Sequence, residues 1–468
     1  MTKIVVFLSL GMRMSENVIS IQQSRLIRHM IILIINEFII CFHIPSYLCR
    51  NKLIGKKMTN KEYEAKLLAL RYPKPDGYGS LSMPIYNSLA FEFETAESME
   101  LAFSGAIDDH VYSRVTNPTV QHFEDRVRAI TGAYGVTALN SGMAAISNTF
   151  FTLAWSGCNI VTSNKLFGNT YSFFVNTLRD FGVETRFVDL KDFAAVELAI
   201  DKNTCALFAE IITNPQMEIV DLNKLSEIAH RNKVPFVADT TLIPFSSFTS
   251  SQFGIDIDVI SSTKYISGGG TSLGGLIIDY GKFDWSYSPK LKTVSDNSLS
   301  SFNYKLRKEI HRNIGAYMTP QTAYMQSLGL ESMGVRYERQ SKTCKQLALM
   351  LRELPEVASV GYPGLDTHSD YLISLSQFGD TPGAMLIFDL QSKDKCFEFI
   401  KHLKLIRRAT NLFDNRSLIL HPASTIYVGF SKQQRAEMDV RDTTMRLSVG
   451  LEDVDSLFED IKKALEYL

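Results

Sequence analysis

From residue 134 to about 280, short apolar runs alternate with amphipathic segments, and that alternation leaves few folds open to the chain. Val136–Leu139 precedes a helix-like Ala144–Ala154, Asn159–Thr162 precedes Tyr171–Arg179, and Thr185–Val188 precedes Ala194–Ile200. Cys205–Ile211 then precedes Leu222–Asn232, Phe236–Asp239 and Val259–Ser261 follow, and Leu276–Ile278 closes the series. Strand, helix, strand at this spacing predicts an α/β protein with a mostly parallel sheet covered on both faces. Pro320–Leu354 reads as one long helix, because Ala323, Met325, Leu328 and Leu330 recur at helical intervals. Beyond it, strand-like Ala384–Phe388 and Met445–Val449 with helix-like Cys396–Leu403 and Asp455–Leu465 predict a smaller α/β domain.

At 468 residues the chain exceeds one compact core. Lys and Arg total 49 against 50 Asp and Glu, a balance that offers no attraction for nucleic acid. Cys41, Cys49, Cys158, Cys205, Cys344 and Cys396 show no CxxC spacing, which fits reduced thiols of a cytoplasmic protein rather than disulfides or a metal site. Residues 1–57 differ from the rest, with eight basic residues against Glu16 and Glu37. Their apolar run Met30–Ile35 is broken by Asn36 and Glu37, so no membrane-spanning helix is expected. The segment reads as an extension upstream of the true start, a membrane-surface anchor or a targeting segment. The first, disordered or absent from the working protein, is the preferred expectation, with Met58 opening a polar, helix-prone stretch.

In an open parallel sheet, chemistry collects at the carboxyl ends of the strands. Four places there stand out. Asn140-Ser141-Gly142-Met143 lies between a strand and a helix, where free N–H groups could seat a phosphate; an ordinary N-cap would look the same. Asp239 ends an apolar strand and, if buried, needs a cation, either a protonated pyridine nitrogen or a structural arginine. Lys264 follows Ser261, Ser262 and Thr263, a setting for a Schiff-base lysine beside a phosphate, or for a surface lysine in a polar loop. Arg446 lies inside an apolar strand, where it would recognise a carboxylate or complete a structural ion pair.

Together these residues resemble the Cys/Met-metabolism branch of pyridoxal-phosphate enzymes, most closely the O-acetylhomoserine sulfhydrylases. The matching stretches are Tyr112–Thr119, Ser141-Gly142-Met143, Ser261–Lys264, Gly281–Trp285, His421–Thr425 and Arg446–Gly450, and the resemblance spans residues 78–468. Thr271–Gly275 and Asn411 favour sulfhydrylases over lyases within that branch. The resemblance implies an aspartate-aminotransferase-like (fold type I) architecture, with a pyridoxal-phosphate-binding domain over 118–319 and a bridging helix plus C-terminal domain over 320–468. It also implies an arm over 58–117 that reaches a neighbouring subunit.

Roles carry over in the same way. The resemblance makes Lys264 the catalytic residue that holds pyridoxal 5′-phosphate as a Schiff base, and pairs Asp239 with the ring nitrogen. Phe167 stacks on the ring, while Gly142, Met143, Ser261 and Thr263 bind the phosphate and Thr241 joins the cofactor shell. Tyr112 and Arg114 reach a neighbour's phosphate, so a homo-oligomer is expected, a tetramer of active-site-sharing dimers. Arg446, helped by Asn411, holds the substrate α-carboxylate. The implied reaction is replacement of acetate in O-acetylhomoserine by sulfide or a small thiol. Four positions depart from the family: Phe167 stands where Tyr is usual, Thr240 where Asn is usual, Gly269 where many relatives have His, and Asn169 where methionine γ-lyases have Cys. A cystathionine or methionine γ-lyase and a non-catalytic cofactor-binding relative are the alternatives.

Overall fold

A computed structural model describes residues 60–70 and 76–468. The expectation for residues 1–57 lies outside the described residues.

The predicted alternation builds a seven-stranded sheet from β1 (Gly135–Leu139), β2 (Asn159–Thr162), β3 (Glu184–Phe187), β4 (Thr204–Glu210), β5 (Phe236–Asp239), β6 (Ile257–Ile260) and β7 (Gly275–Asp279). The strand order is β1-β7-β6-β5-β4-β2-β3. Strands β3, β2, β4, β5 and β6 run parallel, while β7 is antiparallel to both β6 and β1. Every residue of β1, β2, β4, β6 and β7 is buried, as strands sandwiched between helices must be. One side of the core gathers Phe150, Phe174 and Phe208 edge to face, and the other gathers Leu225, Phe236 and Leu276. The expected helix Tyr171–Arg179 forms with a wide turn, α-helical over Gly168–Ser172 and π-helical over Phe173–Leu178.

The long helix runs from Pro320 to Arg352. Thr319 caps it by accepting from the Thr322 N–H, and proline occupies a first-turn position that needs no donor. Its Gly329 lies against the loop that follows Lys264: a Cβ there would stand 1.9 Å from the Ile266 carbonyl oxygen. Arg336 of the same helix donates to the carbonyls of Tyr265 at 2.7 Å and Gly329 at 2.8 Å, fixing the lysine loop to the helix. The smaller sheet contains β8 (Ser359–Gly361), β9 (Met385–Asp389), β10 (Arg407–Arg408), β11 (Leu418–Leu420) and β12 (Thr444–Ser448), in the order β10-β11-β12-β9-β8. At the other end, the helix Asn60–Ala69 buries Tyr63 and Leu67, and the Tyr63 hydroxyl donates to the Leu330 carbonyl at 2.7 Å. Among the described residues no helix is long and apolar enough to cross a membrane.

Candidate active site

Strands β1, β4, β5 and β6 deliver their carboxyl ends to one cavity of about 470 Å³. Ser141, Gly142, Met143, Phe167, Asp239, Thr241, Ser261, Thr263, Lys264 and Arg446 all line it. Residues more than 300 positions apart in sequence therefore meet at one site.

The helix Gly142–Leu153 starts at the cavity wall. Ser141 caps it by accepting from the Ala144 N–H at 3.1 Å, leaving the N–H groups of Gly142 and Met143 in the first turn, where no helical carbonyl is available. Ser261 packs onto that start, and only glycine permits it: a Cβ on Gly142 would lie 2.6 Å from the Ser261 Cβ. Thr241 joins two elements, since its N–H donates to Asp239 Oδ1 at 3.0 Å and its hydroxyl accepts from the Ser261 N–H at 2.8 Å. The Thr263 hydroxyl is committed to Gly274, donating to its carbonyl at 3.2 Å and accepting from its N–H at 3.0 Å.

Asp239 is held in the protein interior. Burial raises its carboxyl above the usual range, and the Thr241 N–H and hydroxyl oppose that. Among the described residues it has no cationic partner within salt-bridge distance, so the structural arginine considered from sequence is not what meets it. Its neighbour in register on β4 is Glu210, pushed well up by burial and by Asp239 itself. Lys264 donates from Nζ to Asn411 Oδ1 at 3.0 Å. Burial, then the charge of Arg446, lowers its amine to about 8, where the neutral form is accessible. Arg446 is buried on β12, where burial lowers it to about 10. Nη1 donates to Asn214 Oδ1 at 3.2 Å, Nη2 to the Asn411 carbonyl at 3.5 Å, and Nε has no partner. No described acid pairs with it, so the structural ion pair considered from sequence is not formed among the described residues, and the guanidinium keeps the fork geometry that suits a carboxylate.

Tyr112 and Arg114 do not join this cavity in the single chain. Arg114 lies over the Tyr112 ring, 5.4 Å from its centroid, and donates to the Arg312 carbonyl, while Tyr112 is 41% exposed. Glu210 and Asn214 also line the cavity and were not singled out from sequence. Glu210 is the last residue of its strand, four positions before Asn214, and a carboxylate closing an apolar run was the available signal.

A helix start whose first N–H groups have no helical carbonyl, a buried acid with no cation among the described residues and a lysine with an accessible neutral form are what pyridoxal phosphate requires of a protein. Residues 66–466 match the family of Cys/Met metabolism PLP-dependent enzymes. The chain belongs to that family. As its member, the protein is a pyridoxal-phosphate-dependent enzyme with the type I fold. An O-acetylhomoserine sulfhydrylase structure from Wolinella succinogenes is 45% identical, with a TM-score of 0.69 over 75% of this chain and 99% of that one. A Campylobacter jejuni structure assigned as an O-acetylhomoserine (thiol)-lyase, with a pyridoxyl phosphate on its lysine, superposes with a TM-score of 0.81 at 31% identity, covering 86% of this chain and 99% of the other. An L-methionine gamma-lyase of Fusobacterium nucleatum is 34% identical over 397 residues, 83% of this chain and 94% of its own.

Proposed function

We propose that the chain replaces the acetate of O-acetylhomoserine with sulfide or a small thiol, giving homocysteine when sulfide is the nucleophile. The observation that carries this reading is Phe167 at the cavity wall, a ring face without an acid. Acetate leaves as a carboxylate, whose conjugate acid has a pKa near that of a side-chain carboxyl, about 4, and needs no proton. A γ-lyase acting on a thioether must expel a thiolate, whose thiol has a pKa of about 8.5, and a phenol in place of Phe167 would help it leave. Lining charges support the same choice. The charged residues on the cavity wall are Glu210, Asp239, Lys264 and Arg446. Once Arg446 serves the substrate's own carboxylate, Lys264 its Cα proton and Asp239 the ring nitrogen, no cation among this chain's described lining residues is left for a succinyl carboxylate or the second amino acid head of cystathionine.

Bound pyridoxal phosphate supplies the electron sink that makes protons on substrate carbons acidic. In this reading Gly142, Met143 and Ser261 hold the phosphate, with Thr263 once its hydroxyl leaves Gly274. Thr241 steadies Asp239, and Asp239 keeps the ring nitrogen protonated. Phe167 covers one face of the ring. Arg446 and Asn411 orient the α-carboxylate so that Lys264 Nζ can take the Cα proton. Lys264 then carries the Cβ proton away as the C–O bond at Cγ breaks and acetate departs; the sulfur nucleophile, as hydrosulfide or thiolate, forms the new bond at Cγ, and protons return to Cβ and Cα. The body comprises a cofactor domain over 118–319 and a second domain over 320–468, and the protein works in the cytoplasm as a homo-oligomer. Exposed Tyr78, Leu81, Leu89, Met99 and Phe103 between residues 76 and 112 supply an apolar surface for a second copy, which would bring Tyr112 and Arg114 to the neighbour's site.

Purified enzyme tests this with acetyl- and succinylhomoserine, each with sulfide and with methanethiol, and with methionine and cystathionine alone. Fastest turnover is expected for the acetyl ester with sulfide or methanethiol. Release of ammonia and a 2-oxo acid from methionine or cystathionine at an equal rate would overturn the assignment.

A further inference from the structure

Arg446 takes its aim from Asn214, and Asn214 is held at both ends of its own peptide units. Its N–H faces the buried Glu210 carboxyl and opposes the rise that burial imposes on it. Its carbonyl accepts from the Tyr427 hydroxyl at 2.8 Å, while its side-chain oxygen receives Arg446 Nη1 at 3.2 Å. The same two side chains grip the segment that bears the ring-facing residue. Glu210 Oε1 accepts from the Phe167 N–H at 2.6 Å, and the Tyr427 hydroxyl reaches the Leu166 carbonyl at 3.0 Å. A phenol has one proton, so Tyr427 shares it between two carbonyls in a three-centre bond. Tyr427 is fully buried and does not line the cavity, although its neighbour Ile426 does.

We infer that Glu210 and Tyr427 form a clamp across the Leu166–Phe167 and Asn214 segments, acting as positioning residues that set Arg446 at a fixed distance from the face covered by Phe167. Glu210 supplies the acceptor for the Phe167 N–H and faces the Asn214 N–H from the large sheet, and Tyr427 supplies the shared donor from the C-terminal part of the chain. The phenol works only when protonated, because a phenolate would face two carbonyl oxygens. Burial, with the nearby Glu210, raises its pKa and keeps it so. Loss of the hydroxyl frees the Asn214 carbonyl, lets its side chain swing, and takes from Arg446 the acceptor that holds Nη1. The inference rests on the reading of Arg446 as the carboxylate-binding residue.

The test uses holoenzyme and L-alanine, whose carboxylate engages Arg446 but which has no γ-leaving group. Binding is read from the cofactor's visible absorbance. Tyr427→Phe and Glu210→Ala are each expected to weaken alanine binding on the order of tenfold, the scale of one buried hydrogen bond, with cofactor content unchanged. Glu210→Gln, which keeps an acceptor oxygen, should restore most of what Glu210→Ala loses. With the acetyl ester, KM should rise more than kcat falls. Arg446→Lys serves as the reference. If it weakens alanine binding while Tyr427→Phe and Glu210→Ala leave it unchanged, the clamp is wrong and the carboxylate assignment stands. If Arg446→Lys has no effect either, both are wrong. Should Tyr427→Phe fail to fold, the comparison of Glu210→Ala with Glu210→Gln decides alone, and equal affinity in those two would overturn the clamp.

Discussion

The Lys264 amine donates to the Asn411 side-chain oxygen at 3.0 Å, and the carbonyl of that same Asn411 accepts from Arg446. One residue thus ties the Lys264 amine to the Arg446 guanidinium. An α-amino acid bound there would have its carboxylate and its Cα proton fixed by neighbouring groups.

Lys264 should be the point of cofactor attachment. Borohydride treatment followed by peptide mapping is expected to label this lysine, and a label elsewhere would refute the assignment. Because its amine titrates at about 8, roughly one molecule in ten is in the nucleophilic neutral form at pH 7, against fewer than about one in a thousand for an ordinary lysine. Raising the pH deprotonates the amine, so the rate at which cofactor-stripped protein takes up pyridoxal phosphate should climb and level off above about pH 8. A rate still rising steeply toward pH 10 would show that the amine is not depressed.

Arg446→Lys keeps a charge and loses the planar fork, the contact with Asn214 and some packing. A fall in kcat/KM of roughly two to three orders of magnitude is expected, from about 3–4 kcal/mol of charged hydrogen bonding. Steady-state kinetics unchanged from the parent would leave Arg446 without a role in substrate binding.

Tyr112 and Arg114 are separated from their own chain's cavity, which makes a mixing experiment decisive. Arg114→Ala and Lys264→Ala oligomers should each be nearly inactive. After co-refolding, about half the dimers are mixed and each has one site with neither defect, so activity should return to roughly a quarter of wild type. No recovery, with mixed oligomers demonstrated, would sink the shared-site reading.

A chain beginning at Met58 should keep full activity and assembly, because the helix Asn60–Ala69 and its Tyr63 bond to Leu330 are retained. Removing that helix as well takes two buried side chains from the long helix and should cost about 3–5 kcal/mol, seen as a lower unfolding midpoint. Loss of cofactor from the Met58 form would show that residues 1–57 contribute to the body.

The alternation of strands and helices was legible because burial on both faces demands continuous apolar runs, and those runs need no knowledge of what they pack against. The antiparallel setting of β7 was not, since Leu276–Ile278 would look the same in either direction. Lys264, Asp239 and Arg446 were conspicuous as charges inside or beside apolar strands. Alternatives remained for each because a charge in an apolar run says that a partner exists without saying which one.

The order of residues alone specified the α/β class, the mostly parallel large sheet, the long helix from Pro320 and the identity of the charged residues that had to be partnered. Tertiary structure decided the partners. Among the described residues it showed Asp239 without a cation and Arg446 without an acid, placed Glu210 beside Asp239, and brought Tyr427 between Leu166 and Asn214. It also turned the Thr263 hydroxyl to Gly274 and kept Tyr112 and Arg114 away from their own cavity. The division has a physical cause. Apolar periodicity is a local property that each segment carries alone, whereas a hydrogen bond or a missing counter-charge depends on segments hundreds of residues apart, and only packing brings those together.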